Sequence, residues 1–260
     1  LHAVYQSLKP IFKGKWMSTG TRKNGETSMD YAYYYPNDMD LAAAFCSPFV
    51  VGILDNAFSK YLFNEVGNEA LREMLKKNIR WALTDGENGL YQSVCKKYKE
   101  ENLSEPSYTE YVFNIFDTYF NLFQYTLPSK HQEKLEEMTK DEATYVTEIF
   151  NTIENNRIPD FDTYWVDCAK EQGFPNPGYD YFADLLEGTS FKAEEVLAFE
   201  LKEEDRWLLK QYDNSHRTDM RENFFVNSTM PLLFFYSHDD PWSGGQPDKL
   251  GPSLDRKSVV

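Results

Sequence analysis

The sequence predicts an α/β protein in which a small layer of parallel strands is interrupted by a long, all-helical insertion. Three observations carry that prediction. A strand–turn–helix–strand order runs through the first fifty residues. A compact apolar strand, "PLLFFYS" (231–237), stands near the other end. Between the two, apolar spacing is helical almost throughout. Strands that share a sheet but are joined through helices pair in parallel.

Residues 1–12 place Val4, Leu8, Ile11 and Phe12 at helical spacing, and Pro10 ends that helix. "KWMSTG" (15–20) reads as a short strand stopped by Gly20. "GETSMDYAYYY" (25–35) reads as a helix halted before Pro36. "DLAAAFCSPF" (40–49) is a continuous apolar run closed at Pro48, the pattern of a strand covered on both faces. From Leu54 to Phe225 helical periodicity recurs at 56–66, 68–83, 88–101, 107–125, 129–154, 160–172, 178–187 and 192–214. Pro106, Pro128, Pro159 and "FPNPG" (174–178) separate these segments. The aromatic "YVFNIFDTYFNLFQY" (111–125) is most simply a buried helix, with a peptide-binding wall as its second reading. The expected organisation is therefore a core of residues 1–53 with 226–260, and a helical cap of residues 54–225. The cap would lie over the sheet's carboxyl edge, where open α/β sheets place their sites.

The chain carries 42 acidic against 27 basic residues, a net charge of −15. That balance opposes binding to nucleic acid or to anionic membranes, because a phosphate backbone requires clustered Lys and Arg. It favours cationic ligands, the free amino terminus of a peptide among them, or simply keeps the protein in solution. No apolar run reaches the ~18 residues that would span a bilayer. Cys46, Cys95 and Cys168 are widely spaced and fit no metal-ligand pattern. No motif calls for a metal or a cofactor.

Between the first strand and its helix lies "STGTRKNG" (18–25). An α/β-hydrolase nucleophile elbow has the form Gly-x-nucleophile-x-Gly on a sharp strand-to-helix turn, which presents a hydroxyl above the helix amino terminus. Here Gly20 keeps the first small position, Arg22 fills the nucleophile slot and Asn24 stands where the second glycine belongs. A protonated guanidinium has no lone pair with which to attack a carbonyl.

The surrounding residues, Trp16, Thr19, Gly20, Lys23, Gly25, Thr27, Tyr35, Pro36, Asp38, Asp40 and Pro48, match a longer pattern. With it the segment resembles the elbow region of the secreted tripeptidyl/prolyl aminopeptidase family of serine peptidases. A second match is "LLFFYSHDDPWSGG" (232–245), an apolar strand followed by Asp-Pro-Trp-Ser. The resemblance implies an α/β-hydrolase core fragment under a helical cap. It implies Asp240 as the triad acid position, Arg22 as the substituted nucleophile position, and the backbone N–H of Lys23 as an oxyanion donor. It also implies a lineage acting on peptide amino termini in a secreted or periplasmic setting. As a plain turn opener Asp240 needs no such role, since Asp-Pro commonly begins a turn. His238 reads as a turn histidine, and His2, His131 and His216 as surface residues.

No histidine follows Asp240 within these residues, although the triad order places one there. The expectation is a piece of a longer protein that has lost acyl transfer and binds a peptide or small ligand beneath the cap. The alternatives are an active peptidase with catalytic residues outside this chain, and a structural module. Arg22 is further expected to point towards Asp240 and touch it directly or through one water.

Overall fold

A computed structural model describes residues 1–157, 162–201, 203–237 and 239–244. Helix α1 (His2–Leu8) leads to strand β1 (Met17–Thr21), which turns abruptly into helix α2 (Lys23–Tyr34) and then strand β2 (Leu41–Phe45). A two-residue strand β3 (Leu54–Asp55) opens the helical part: α3 (Ala57–Asn64), α4 (Glu69–Leu83), α5 (Leu90–Glu100), α6 (Tyr108–Tyr125), α7 (His131–Met138), α8 (Glu142–Asn156) and α9 (Asp162–Asp167). Strand β4 (Phe174–Pro175), α10 (Ala183–Leu186), α11 (Ala193–Glu200), α12 (Ser215–Asp219) and α13 (Phe225–Asn227) precede the last strand, β5 (Leu232–Phe235).

The sheet order is β1-β2-β5, all parallel, with Thr19 opposite Ala43 and Ala43 opposite Leu233. Strands far apart in sequence are thus neighbours, and among the described residues β3 pairs with β4 alone, also in parallel. The triple alanine of β2 (Ala42, Ala43, Ala44) leaves room for α2 to approach the sheet. Met29 and Ala32 of α2 pack with Ala42, Ala44, Phe49, Met220 and Phe225 in the sheet's own core. Close packing of that kind, rather than helix propensity, holds a 12-residue helix in place.

A larger apolar core unites the helical part. It includes Phe58, Leu75, Ile79, Tyr111, Phe116, Tyr119, Phe123, Tyr145 and Ile149, and α6 lies at its centre. The Ser107 hydroxyl accepts from the Glu110 N–H to start α6, as Asn68 does from Leu71 for α4. Continuous periodicity predicts one helix over 129–154, but the chain makes two, α7 and α8. The Asp141 carboxylate accepts from the Thr144 N–H at 2.7 Å, and this local cap outcompetes an unbroken helix. Cys46, Cys95 and Cys168 form no disulfide among the described residues; Cys46 is half-buried, and Cys95 and Cys168 are buried. Among the described residues no helix is long and apolar enough to cross a membrane.

Candidate functional site: a strained strand-to-helix turn and a buried carboxylate

The junction of β1 and α2 consists of one residue. Arg22 has φ 55° and ψ −127°, a conformation that non-glycine residues sparsely populate and that costs on the order of 1–3 kcal/mol. Four hydrogen bonds impose it. The Arg22 N–H donates to the Phe45 carbonyl at 2.9 Å. The Arg22 carbonyl accepts from the Gly25 N–H (2.9 Å), the Glu26 N–H (3.2 Å) and the Ser47 hydroxyl (2.9 Å). The turn is therefore locked to the carboxyl end of the central strand β2.

Two glycines make the approach possible. A Cβ on Gly20 would lie 2.2 Å from the backbone of Asn24, and one on Gly25 would lie 1.7 Å from the Ser47 Oγ. The sequence frame assigns the second small residue to position 24. The structure moves that requirement to Gly25, where Ser47 crosses behind the turn.

The Arg22 side chain turns towards the helical part. Its guanidinium donates to Gln124 Oε1 at 3.3 Å and lies over the Tyr125 ring, 4.9 Å from its centre. Lys23, the first residue of α2, reaches Asp167 through its ammonium group, so both residues of the turn tie it to flanking helices.

Asp240 follows β5 and is fully buried. One carboxylate oxygen accepts from the Trp242 N–H at 2.9 Å, capping the short 3₁₀ turn Pro241–Ser243, and the Ser243 hydroxyl donates to the Asp240 carbonyl. Burial pushes its carboxyl up to about 6, against the opposing influence of the Trp242 N–H and, through space, of Arg22.

The direct contact expected between Arg22 and Asp240 is not made: no hydrogen bond or ion pair joins them among the described residues. The physical reason is competition. A weakly hydrated, planar guanidinium stacks on an exposed aromatic face at little cost, whereas reaching Asp240 requires entering a buried pocket already organised by a cap.

Histidine placement also departs from expectation. His131 is buried, not on the surface. Its Nε2 bonds the Thr126 carbonyl at 2.9 Å, its ring packs on Phe123, and its Nδ1 lies 3.9 Å from Asp239. It therefore neighbours Asp239 rather than Asp240. His2 stacks on Tyr35 and bonds Asp38 at 2.6 Å, and His216 is half-buried beside Asp30. His238 falls outside the described residues. No described histidine lies within hydrogen-bonding or ion-pairing distance of Asp240.

One cluster was not anticipated. Arg217 of α12, fully buried, donates to Glu26 and Asp30 of α2 at 3.1 Å each, with its guanidinium 5.0 Å from the Phe49 ring centre. Burial raises the Glu26 carboxyl to about 7 despite the attraction of Arg217. The available signal was two acids at i,i+4 on a helix that must also cover an apolar sheet, which is unfavourable without a shared cation. A polar cleft of about 460 Å³ lies between Tyr34, Lys170, Glu171, Asp213 and His216. Tyr34 ends α2, about 17 Å along the helix from Lys23, so this cleft is separate from the turn. Among the described residues no group of three or more His, Cys, Asp or Glu is placed to hold a metal ion.

The buried acid makes a testable statement about pH. Because the folded state keeps a proton on Asp240 up to about pH 6, while the unfolded chain releases it near 3.8, stability falls as pH rises between those values. Asp240→Asn is expected to flatten this segment of a denaturant-derived stability profile measured from pH 4 to 7. An unchanged slope would show that Asp240 is solvated.

Residues 1–127 match the family model described as PS-10 peptidase S37. Over 271 aligned residues the chain is 26% identical to the prolyl tri/tetrapeptidyl aminopeptidase of Streptomyces mobaraensis, a match covering 96% of this chain and 52% of that protein. The chain thus spans about half the length of that relative. No solved structure matches. Both matches lead to the peptidase family that the elbow segment resembles.

Proposed function

We propose that this chain, a member of the S37 peptidase family, holds peptides beneath a helical cap of residues 54–225 without cutting them. The carrying observation is Arg22, at the apex of a strand-to-helix turn of elbow geometry, with its guanidinium engaged by Gln124 and Tyr125. In an α/β-hydrolase frame that apex holds the nucleophile, Asp240 occupies the acid position and the Lys23 N–H serves the oxyanion. Arginine cannot form an acyl intermediate, and no described histidine stands beside the buried Asp240 to activate a nucleophile. What such a site retains is recognition. The charge of −15 favours the ammonium end of a peptide, while Tyr125 and Gln124 offer an aromatic face and an amide. By family lineage the protein would act outside the cytoplasm.

Titration calorimetry with a tripeptide, free or acetylated at its amino terminus, tests the binding claim. The expected result is binding of the free form, a several-fold loss on acetylation, and no product after prolonged incubation. Equal affinity for both forms, or no binding, would remove the proposed recognition. The second reading is an active peptidase completed by residues beyond this chain. It is favoured by the preserved elbow backbone at Arg22 and by the chain's spanning about half of the relative.

A further inference from the structure

We propose that the polar cleft at the far end of α2 binds a small organic cation, one carrying an alkylammonium or alkylguanidinium group. Glu26, Asp30 and Tyr34 follow at i, i+4 and i+8, and so share one face of α2. The first two hold the Arg217 guanidinium. The third opens onto the cleft of about 460 Å³, a volume within the range of small-molecule sites. The other walls are Lys170 and Glu171 of the π-helical turn Cys168–Gln172, and Asp213 and His216 around the start of α12. Backbone bonds fix these walls against each other. The Asp213 N–H donates to the Lys170 carbonyl at 3.1 Å, and the Ser215 N–H to the Asp213 carboxylate at 3.0 Å.

Two observations point to a cation. The first is an orphaned acceptor. Arg217 donates to Asp30 Oδ2, but Asp30 Oδ1 is enclosed with no hydrogen-bond donor among the described residues. The His216 Nε2 beside it lies 3.9 Å away, too far to donate. An enclosed acceptor left unmet is costly, and a ligand N–H reaching past His216 would satisfy it. The second is surplus negative charge. Glu171 has no ion-pair partner among the described residues, and Asp213 bonds a backbone N–H and no cation. With Asp30, three carboxylates stand against Lys170 and the already shared Arg217. His216 adds no positive charge, because burial and the neighbouring Arg217 keep its imidazole neutral. The Tyr34 ring, 56% exposed and 5.9 Å from that of His216, offers an aromatic face on which a cation can rest. Among the described residues the carboxylates and imidazole are not grouped as metal ligands, so the donor set suits an organic cation. The cleft is separate from the strand-to-helix turn, and its failure would leave the peptide reading untouched.

Titration calorimetry of the protein with agmatine, and with the uncharged 1,4-butanediol, decides it. Agmatine is expected to bind saturably and the diol not at all. Glu171→Gln and Tyr34→Leu, both at exposed positions, should each weaken agmatine several-fold with Tm unchanged. Lys170→Ala, which removes a like charge, should strengthen it. Absence of agmatine binding, or binding of the diol with similar affinity, would overturn the proposal. So would agmatine binding that neither Glu171→Gln nor Tyr34→Leu alters.

Discussion

Arg217→Ala is expected to destabilise the protein by about 3–5 kcal/mol, among the largest losses any single substitution here should cause. The guanidinium is the shared cation of two α2 carboxylates, Glu26 and Asp30; it and Glu26 are fully buried between α2 and α12, and Asp30 is partly buried beside them. Removing it leaves both acids uncompensated. The pH dependence follows from Glu26, whose carboxyl is held near 7 in the folded protein and near 4.5 when unfolded. The folded state binds the extra proton between those values, so wild-type stability declines as pH rises from about 5 to 7 and levels off above. In Arg217→Ala the decline should steepen and extend to higher pH, because nothing then opposes the desolvation of Glu26. The triple replacement Arg217→Met, Glu26→Gln, Asp30→Asn should recover most of the loss and flatten the profile. Urea denaturation at pH 5, 6, 7 and 8 measures all three. A loss below about 1 kcal/mol in Arg217→Ala at pH 7 would mean that the cluster is hydrated and exposed.

The second large effect belongs to Gly20. Gly20→Ala drives a methyl group to 2.2 Å from the carbonyl carbon and oxygen of Asn24, which are backbone and cannot rotate away. Strand and helix must separate, and the expected cost is about 3 kcal/mol or more, at the upper end of overpacking penalties. Gly25→Ala should be milder, although its nearest contact is closer, because that contact is the Ser47 hydroxyl and the backbone atom it meets, the Gly20 carbonyl oxygen, lies at 2.9 Å. That side chain can swing aside at the expense of its bond to the Arg22 carbonyl. Ser47→Ala should accordingly rescue part of the Gly25→Ala loss and none of the Gly20→Ala loss. Thermal denaturation of the four variants gives the ranking. If Gly20→Ala retains wild-type Tm, the turn is looser than its geometry implies.

These two effects show what can and cannot be read from residue order alone. The parallel pairing of strands some 190 residues apart was legible, because "LAAAF" and "PLLFFY" are both apolar on every position. The strand-to-helix turn was legible from Gly20 and from the residues framing it. The second glycine was misplaced by one, because its constraint comes from Ser47, a residue on another element that local spacing does not reveal. The Arg217 cluster escaped for the same reason: its members are about 190 positions apart, and each alone resembles a solvated charge. His131 was misread because neighbouring Lys and Glu suggest a surface, while the Phe123 ring and the Thr126 carbonyl that enclose it belong to the previous helix and its end. The direction of Arg22 was likewise decided by an aromatic face on α6, not by the charge of Asp240.

That direction bears on what holds the turn in place. The strained backbone is maintained by bonds from Phe45, Ser47, Gly25 and Glu26, none of which involves the side chain at position 22. Arg22→Ser should therefore fold with an unaltered turn and present a hydroxyl at the apex. It should still not hydrolyse peptides, because Asp240 has no described histidine through which to act. The most direct test is to treat wild type and Arg22→Ser, each in the full-length protein, with a fluorophosphonate probe and a chromogenic tripeptide substrate. Loss of acyl transfer at this site predicts neither covalent labelling nor turnover in either protein. Labelling together with turnover in the wild type would contradict it.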